Sequence, residues 1–239
     1  MWTKRPSSLF RARRAPASVH EAPEPAGGTV TAVELQKRTR SDRVNVCIDG
    51  KFAFSLAADT GFRLKIGECI EADGIRVLLD ADASERAYQR ALRFLAARPR
   101  SVLEVRRRLR ASGIGEQPTS QVIDRLQDHG LLDDAQFASY WVEQRQAFRP
   151  RGPRALRSEL SAKGVAREAM APAIAAAADD QCEAACRAGL REARRRASEG
   201  EREFARTVGA YLARRGFDFG ATRAAVRQLW RLVLDERGA

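Results

Sequence analysis

The chain has 239 residues, 44% hydrophobic and 31% charged, with 43 Lys and Arg against 31 Asp and Glu for a formal net charge of +12. So many apolar residues exclude a wholly disordered chain, and the lack of a glycine period or a dense cysteine framework excludes collagen-like and disulfide-scaffold proteins. The longest apolar run, Ala169 to Ala178, is interrupted by Pro172 and is far shorter than the ~20 residues a membrane helix needs, so no membrane partner is expected.

Residues 1–28 read as a disordered basic tail: Arg5, Arg11, Arg13 and Arg14 stand among Pro, Ser, Ala and Gly with no apolar period. Residues 29–83 read as a β-hairpin extension with a short helix. Val44, Val46 and Ile48 alternate with polar residues, Asp49-Gly50 follows, and Phe52, Phe54 and Leu56 resume the period of two. Asp-Gly between two alternating runs predicts a tight hairpin, because both turn residues must tolerate positive φ. Thr29 to Gln36 is a candidate third strand, Leu64 to Glu68 a turn, and Ile75, Leu78 and Leu79 one face of the short helix.

The remainder holds a repeat. Val105-x3-Leu109-x3-Gly113-Ile114 recurs as Leu156-x3-Leu160-x3-Gly164-Val165 and as Val208-x3-Leu212-x3-Gly216-Phe217, with the glycines 51 and 52 residues apart. Apolar residues four apart make a helical stripe, the glycine supplies a left-handed C-terminal cap, and the next apolar residue folds back on the last turn. A further helix follows each glycine and another precedes each pair, giving three tandem three-helix units at 84–132, 133–178 and 179–239. Asp82 with Ser84, Asp133-Asp134 and Asp179-Asp180 stand at the unit starts, where they read as helix caps rather than paired catalytic acids. The fold class is mainly α: an elongated, curved array of three-helix repeats behind a small N-terminal β module.

Phe94-Leu95-Ala96-x-Arg98-Pro99-Arg100-Ser101, then Leu126-x3-Gly130-Leu131-Leu132-Asp133-Asp134-x2-Phe137, and Gly152-x3-Leu156-x2-Glu159-Leu160-x2-Lys163-Gly164 together resemble the RecX recombination regulators. The leading Asp42-Arg43-Val44 and Asp49-Gly50-x-Phe52 hairpin looks like that of the longer members with a β extension. The resemblance covers about residues 29 to 175, and the third unit only by its helical pattern. It implies a regulator that binds the RecA recombinase filament on DNA and inhibits its ATPase, extension and strand exchange; the cysteines and the lack of a signal pattern add the expectation of a cytoplasmic protein, and a monomer is expected. It also implies weak backbone contacts to single- and double-stranded DNA. The family has no catalytic residues to transfer. The alternative is a stand-alone helix-turn-helix-like DNA-binding regulator.

Guanidinium groups pair with carboxylate or phosphate, so the candidate basic face is Arg98, Arg100, Arg106, Arg107, Arg110, Arg145, Arg149, Arg151, Arg154, Arg157 and Lys163. Arg149-Pro150-Arg151-Gly152-Pro153-Arg154 is its densest part, with Phe148 beside it. Phe137 and Trp141, four apart, read as core. Cys47, Cys69, Cys182 and Cys186 read as reduced thiols, and His20 and His129 lack ligand spacing to them. No phosphate-binding loop, zinc-protease motif or nucleophile elbow occurs. The expectation is no enzyme, no cofactor and no metal.

Overall fold

The computed structural model describes residues 27–36 and 42–238; the basic tail expected over 1–28 falls outside this range apart from its last two residues. The chain divides into two compact units, one ending at Ala83 and one beginning at Ser84.

The first unit is an antiparallel sheet. Strands β1 (Gly28–Leu35), β2 (Arg43–Ile48) and β3 (Lys51–Ala57) are followed by a helical turn, α1 (Ala58–Gly61), and a short strand, β4 (Cys69–Ile70). The strand order is β3-β2-β1-β4. Asp49 and Gly50 take φ of 49° and 77°, the paired positive values that a two-residue hairpin demands. Val30, Val44, Val46, Ile48, Phe54, Leu56, Ile70 and Ile75 form the core of this unit. Phe52 is 62% exposed, since it sits at the turn end of β3, beyond the irregularity at Val46/Cys47. Strand β4 joins the sheet through Gly28 and Thr29; two residues are too few to show a period, and it was not expected.

The expected break between a short helix and the opening helix of the next unit is absent: α2 runs from Ala72 to Leu95. Asp82 therefore caps nothing. It is a buried mid-helix carboxylate, accepting from Arg43 Nη1 and Nη2 at 3.2 and 3.0 Å and from the Ala57 N–H at 2.8 Å.

The second unit is helical: α3 (Val102–Arg110), α4 (Glu116–Asp128), α5 (Asp134–Phe148), α6 (Pro153–Ala162), α7 (Arg167–Asp179), α8 (Gln181–Arg195), α9 (Glu201–Arg214) and α10 (Phe219–Gly238). Its apolar residues gather in three separate cores, one per repeat: around Ala91, Leu109 and Leu126; around Phe137, Leu156 and Ile174; and around Phe204, Leu212 and Leu229. Trp141 packs against the second, only partly buried.

Gly113, Gly164 and Gly216 take φ of 80°, 79° and 87°. The following N–H groups of Ile114, Val165 and Phe217 donate to Leu109, Leu160 and Leu212 carbonyls at 3.3, 3.1 and 3.4 Å. This is one Schellman cap built at the same place in each repeat, and Gly130 (φ 65°), with the Leu131 N–H donating to the Leu126 carbonyl at 2.9 Å, closes α4 in the same way. Asp133 caps α5 through the Ala135 and Gln136 N–H groups. Asp180, with φ −95° and ψ 8°, offers α8 no side-chain cap, so the expected cap at the third repeat is corrected: α7 and α8 nearly abut, and there is no extended residue from which a side chain can turn back. Among the described residues no helix is long and apolar enough to cross a membrane.

Candidate functional site

Helices α3, α6 and α9 meet head to tail, the start of α3 following on the glycine end of α6 and that of α6 on the glycine end of α9, and these joints fix where the cationic segments lie. At the first joint Ser101 Oγ accepts from the Glu104 N–H at the start of α3 and donates to the Lys163 carbonyl at the end of α6, at 2.7 Å. Asp134 accepts from the Val102 N–H at 2.9 Å. Burial raises the Asp134 pKa, the Val102 bond opposes that, and Asp133 adds to it.

At the second joint the Gly152 N–H donates to the Arg215 carbonyl at 3.0 Å and the Arg154 N–H to the Gly216 carbonyl at 3.2 Å. A Cβ at Gly152 would run into the Gly216 carbonyl and the Phe217 nitrogen. Pro153 opens α6, where its missing N–H and fixed φ cost nothing. The α5–α6 loop is thereby seated on the end of α9. Its arginines are mounted on fixed backbone rather than on a free connector.

Most of the expected basic face is paired internally. Arg98 and Lys163 reach Glu104 at 3.2 and 2.8 Å. Arg106 and Arg110 both hold Glu116. Arg145 binds Glu159 at 2.7 Å, with Arg151 at 3.6 Å and the Trp141 indole N–H donating to the same carboxylate at 2.9 Å. Arg100 lies over the Phe94 ring at 4.0 Å, and desolvation together with Arg98 lowers its pKa. Four of the eleven, Arg107, Arg149, Arg154 and Arg157, are exposed and make no ion pair among the described residues. Arg149 belongs to the seated loop and Arg154 and Arg157 to the first two turns of α6, beside Phe148, which is 77% exposed.

Glu104 ties the first two repeats together. Burial pushes its carboxyl upward, but hydrogen bonds from Lys163 and Arg98 and their charges outweigh this and hold its pKa below the usual glutamate value. Glu104→Gln is expected to cost about 1–3 kcal/mol near neutral pH. Because the folded pKa lies below the unfolded one, that stabilisation is present above the ordinary glutamate range and is lost as pH falls through the lowered value. Urea unfolding of both proteins at about pH 7 and about pH 3 checks this. A difference that persisted undiminished in acid would show that the charge is not what holds the joint.

Sequence reasoning missed the role of the carboxylates that organise the arginines, Glu104 and Glu159, whose partners come from other segments of the chain. It also passed over Arg223, Arg227 and Arg231 on α10, although their spacing of four was visible. All four cysteines are free thiols, and burial, reinforced by Cys182, pushes Cys186 up to about 11. Among the described residues no group of three or more His, Cys, Asp or Glu is placed to hold a metal.

Fold and charge arrangement together define a helical-repeat protein of three-helix units, led by an antiparallel sheet and displaying a seated cationic loop. Three family models match successive parts of the chain: the regulatory protein RecX N-terminal domain over 28–71, the RecX first three-helix domain over 87–126 and the RecX second three-helix domain over 133–174. The regulatory protein RecX of Bacillus subtilis (strain 168) is 30% identical over 203 residues, 84% of this chain and 76% of that protein. A crystal structure of regulatory protein RecX aligns with TM-score 0.67 and 26% identity over 85% of this chain and 98% of its own, and that of RecX from Lactobacillus salivarius with TM-score 0.58 and 25% identity over 62% and 97%. The chain belongs to the RecX family of regulatory proteins.

Proposed function

We propose that this protein binds the RecA recombinase filament on DNA and restrains it, lowering its ATPase, its extension and its strand exchange. Membership of a regulatory family supports the role. The observation that carries the mechanism is the seated loop, where Arg149, Arg154 and Arg157 stand exposed with no ion pair among the described residues while most neighbouring cations are already satisfied. An unpaired guanidinium has no internal partner to give up on meeting a phosphate or carboxylate, and a fixed backbone leaves only the side chain to be ordered. For binding to regulate, the loop must meet one filament state more favourably than another. Cytoplasmic residence, the monomeric state and weak backbone contacts to DNA belong to the same proposal.

The test is ATP hydrolysis by the host recombinase on single-stranded DNA while the protein is titrated in. The triple variant Arg149→Ala/Arg154→Ala/Arg157→Ala is expected to need at least about tenfold more protein for the same inhibition, the equivalent of about 1.4 kcal/mol. Exposed arginines contribute little to stability, so its melting temperature stays near wild type. Full inhibition by the triple variant would remove the loop from the mechanism.

A further inference from the structure

In the third repeat, α9 and α10 leave an open groove of about 680 Å³ whose surface is mainly apolar. Phe204, Phe217, Val226 and Trp230 contribute to its lining, and Phe219 beside them is 80% exposed. On the α9 side Ala205, Gly209, Ala210 and Ala213 present nothing larger than a methyl group, so another backbone can come close. The rim is cationic. Arg223, Arg227 and Arg231 follow one another every four residues along α10, all exposed and without an ion pair among the described residues. Arg154 at the start of α6 and Arg206, which is paired with Glu203, also line the groove, where Glu201 and Asp218 are the acidic residues. Like charges four apart on a helix repel one another, so this row disfavours the free protein and is relieved by acidic groups on an occupant.

An occupant must cover an apolar floor and set carboxylates against the row of guanidinium groups. An amphipathic helix does both, with apolar anchors at i, i+3, i+4 and i+7 and acidic residues flanking them. Nucleic acid matches the rim, and Phe219 and the partly exposed Trp230 offer faces to bases, but a phosphate backbone brings nothing apolar to cover the alanine-and-glycine side of the groove. Residues 1–26 of this chain hold five Lys and Arg against two Asp and Glu, the same sign as the rim. We infer that the α9–α10 groove docks an acidic amphipathic helix of a partner protein. This does not depend on the seated loop binding a recombinase filament.

The experiment titrates the full chain against two fluorescein-labelled peptides of about five helical turns, identical in their Leu and Phe positions and carrying Glu or Lys elsewhere. The Glu peptide is expected to bind and the Lys peptide not. Arg223→Glu/Arg227→Glu should weaken the Glu peptide by at least about tenfold. Gly209→Leu should do the same by filling the groove: a Cβ there meets only Thr222 at 3.9 Å, so the fold tolerates it and an unchanged melting curve confirms that. The inference is overturned by equal binding of both peptides, or by no saturable binding of the Glu peptide up to about 1 mM. Indifference of the Glu peptide to both variants overturns it too. So does its displacement by an oligothymidylate that itself needs Arg223 and Arg227, which would mark a nucleic-acid surface. Binding seen only after removal of residues 1–26 would assign the groove to the chain's own tail.

Discussion

Asp82→Ala is expected to cost about 3–5 kcal/mol, most of the stability of a sheet unit this small. The Asp82 side chain is 1% exposed and the Arg43 side chain 17%. Removing the carboxylate leaves a largely buried guanidinium and the Ala57 N–H without the acceptor that holds both. That loss is larger than the net worth of the pair, because the Ser55 carbonyl, 2.7 Å from Arg43 Nη2, offsets the desolvation of the remaining charge less than a carboxylate does. Replacing both ends with apolar residues of similar length, Arg43→Met with Asp82→Leu, is therefore expected to be milder than Asp82→Ala alone. Hydrogen exchange resolves the two units: amides of β2 and β3 should lose protection in Asp82→Ala while those of α5 to α10 keep theirs. Unchanged protection in the strands would show that the ion pair is incidental to the sheet.

The same residue shows what the sequence made legible. Asp82 and Ser84 look like helix caps because cap signatures are local, and nothing near them reveals an acceptor role toward residues 25 and 39 positions away. Features closed within a few residues were read well. The Asp49-Gly50 hairpin and the three glycine caps depend on φ values that the local residue types dictate. Features that depend on a partner elsewhere were not. Lys163 and Glu104 are separated by 59 residues, so a count of arginines and lysines cannot tell a satisfied cation from an available one. The row on α10 is hard to see for a different reason: its arginines stand singly, four apart, and form no run in the sequence. It is the ion-pair map that separates Arg149, Arg154 and Arg157 from the rest of the expected face.

The capping glycines of α3, α6 and α9 are alike in sequence and in φ but not in surroundings, and this yields a graded prediction. Alanine at any of them must adopt a left-handed conformation, at about 1–2 kcal/mol. At Gly113 the new methyl meets nothing within 4 Å, so Gly113→Ala should cost only that amount. At Gly164 it meets the Leu103 side chain at 2.7 Å, which can swing aside at some further cost. At Gly216 it collides with the backbone nitrogen and the Cβ of Ala155. Backbone at the start of a helix cannot move without breaking the Gly152–Arg215 and Arg154–Gly216 bonds that seat the loop, so Gly216→Ala should reach about 3–5 kcal/mol. The order follows from position in the array. The first repeat ends its glycine helix in open space, whereas the second and third each receive the start of the preceding repeat's helix. Chemical denaturation of the three variants measures the series, and equal losses at all three glycines would show that the repeats do not bear on one another's caps. Because the second joint also seats Arg149, Arg154 and Arg157, Gly216→Ala should weaken recombinase inhibition even below its unfolding transition, while Gly113→Ala at the far end of the array should leave inhibition intact.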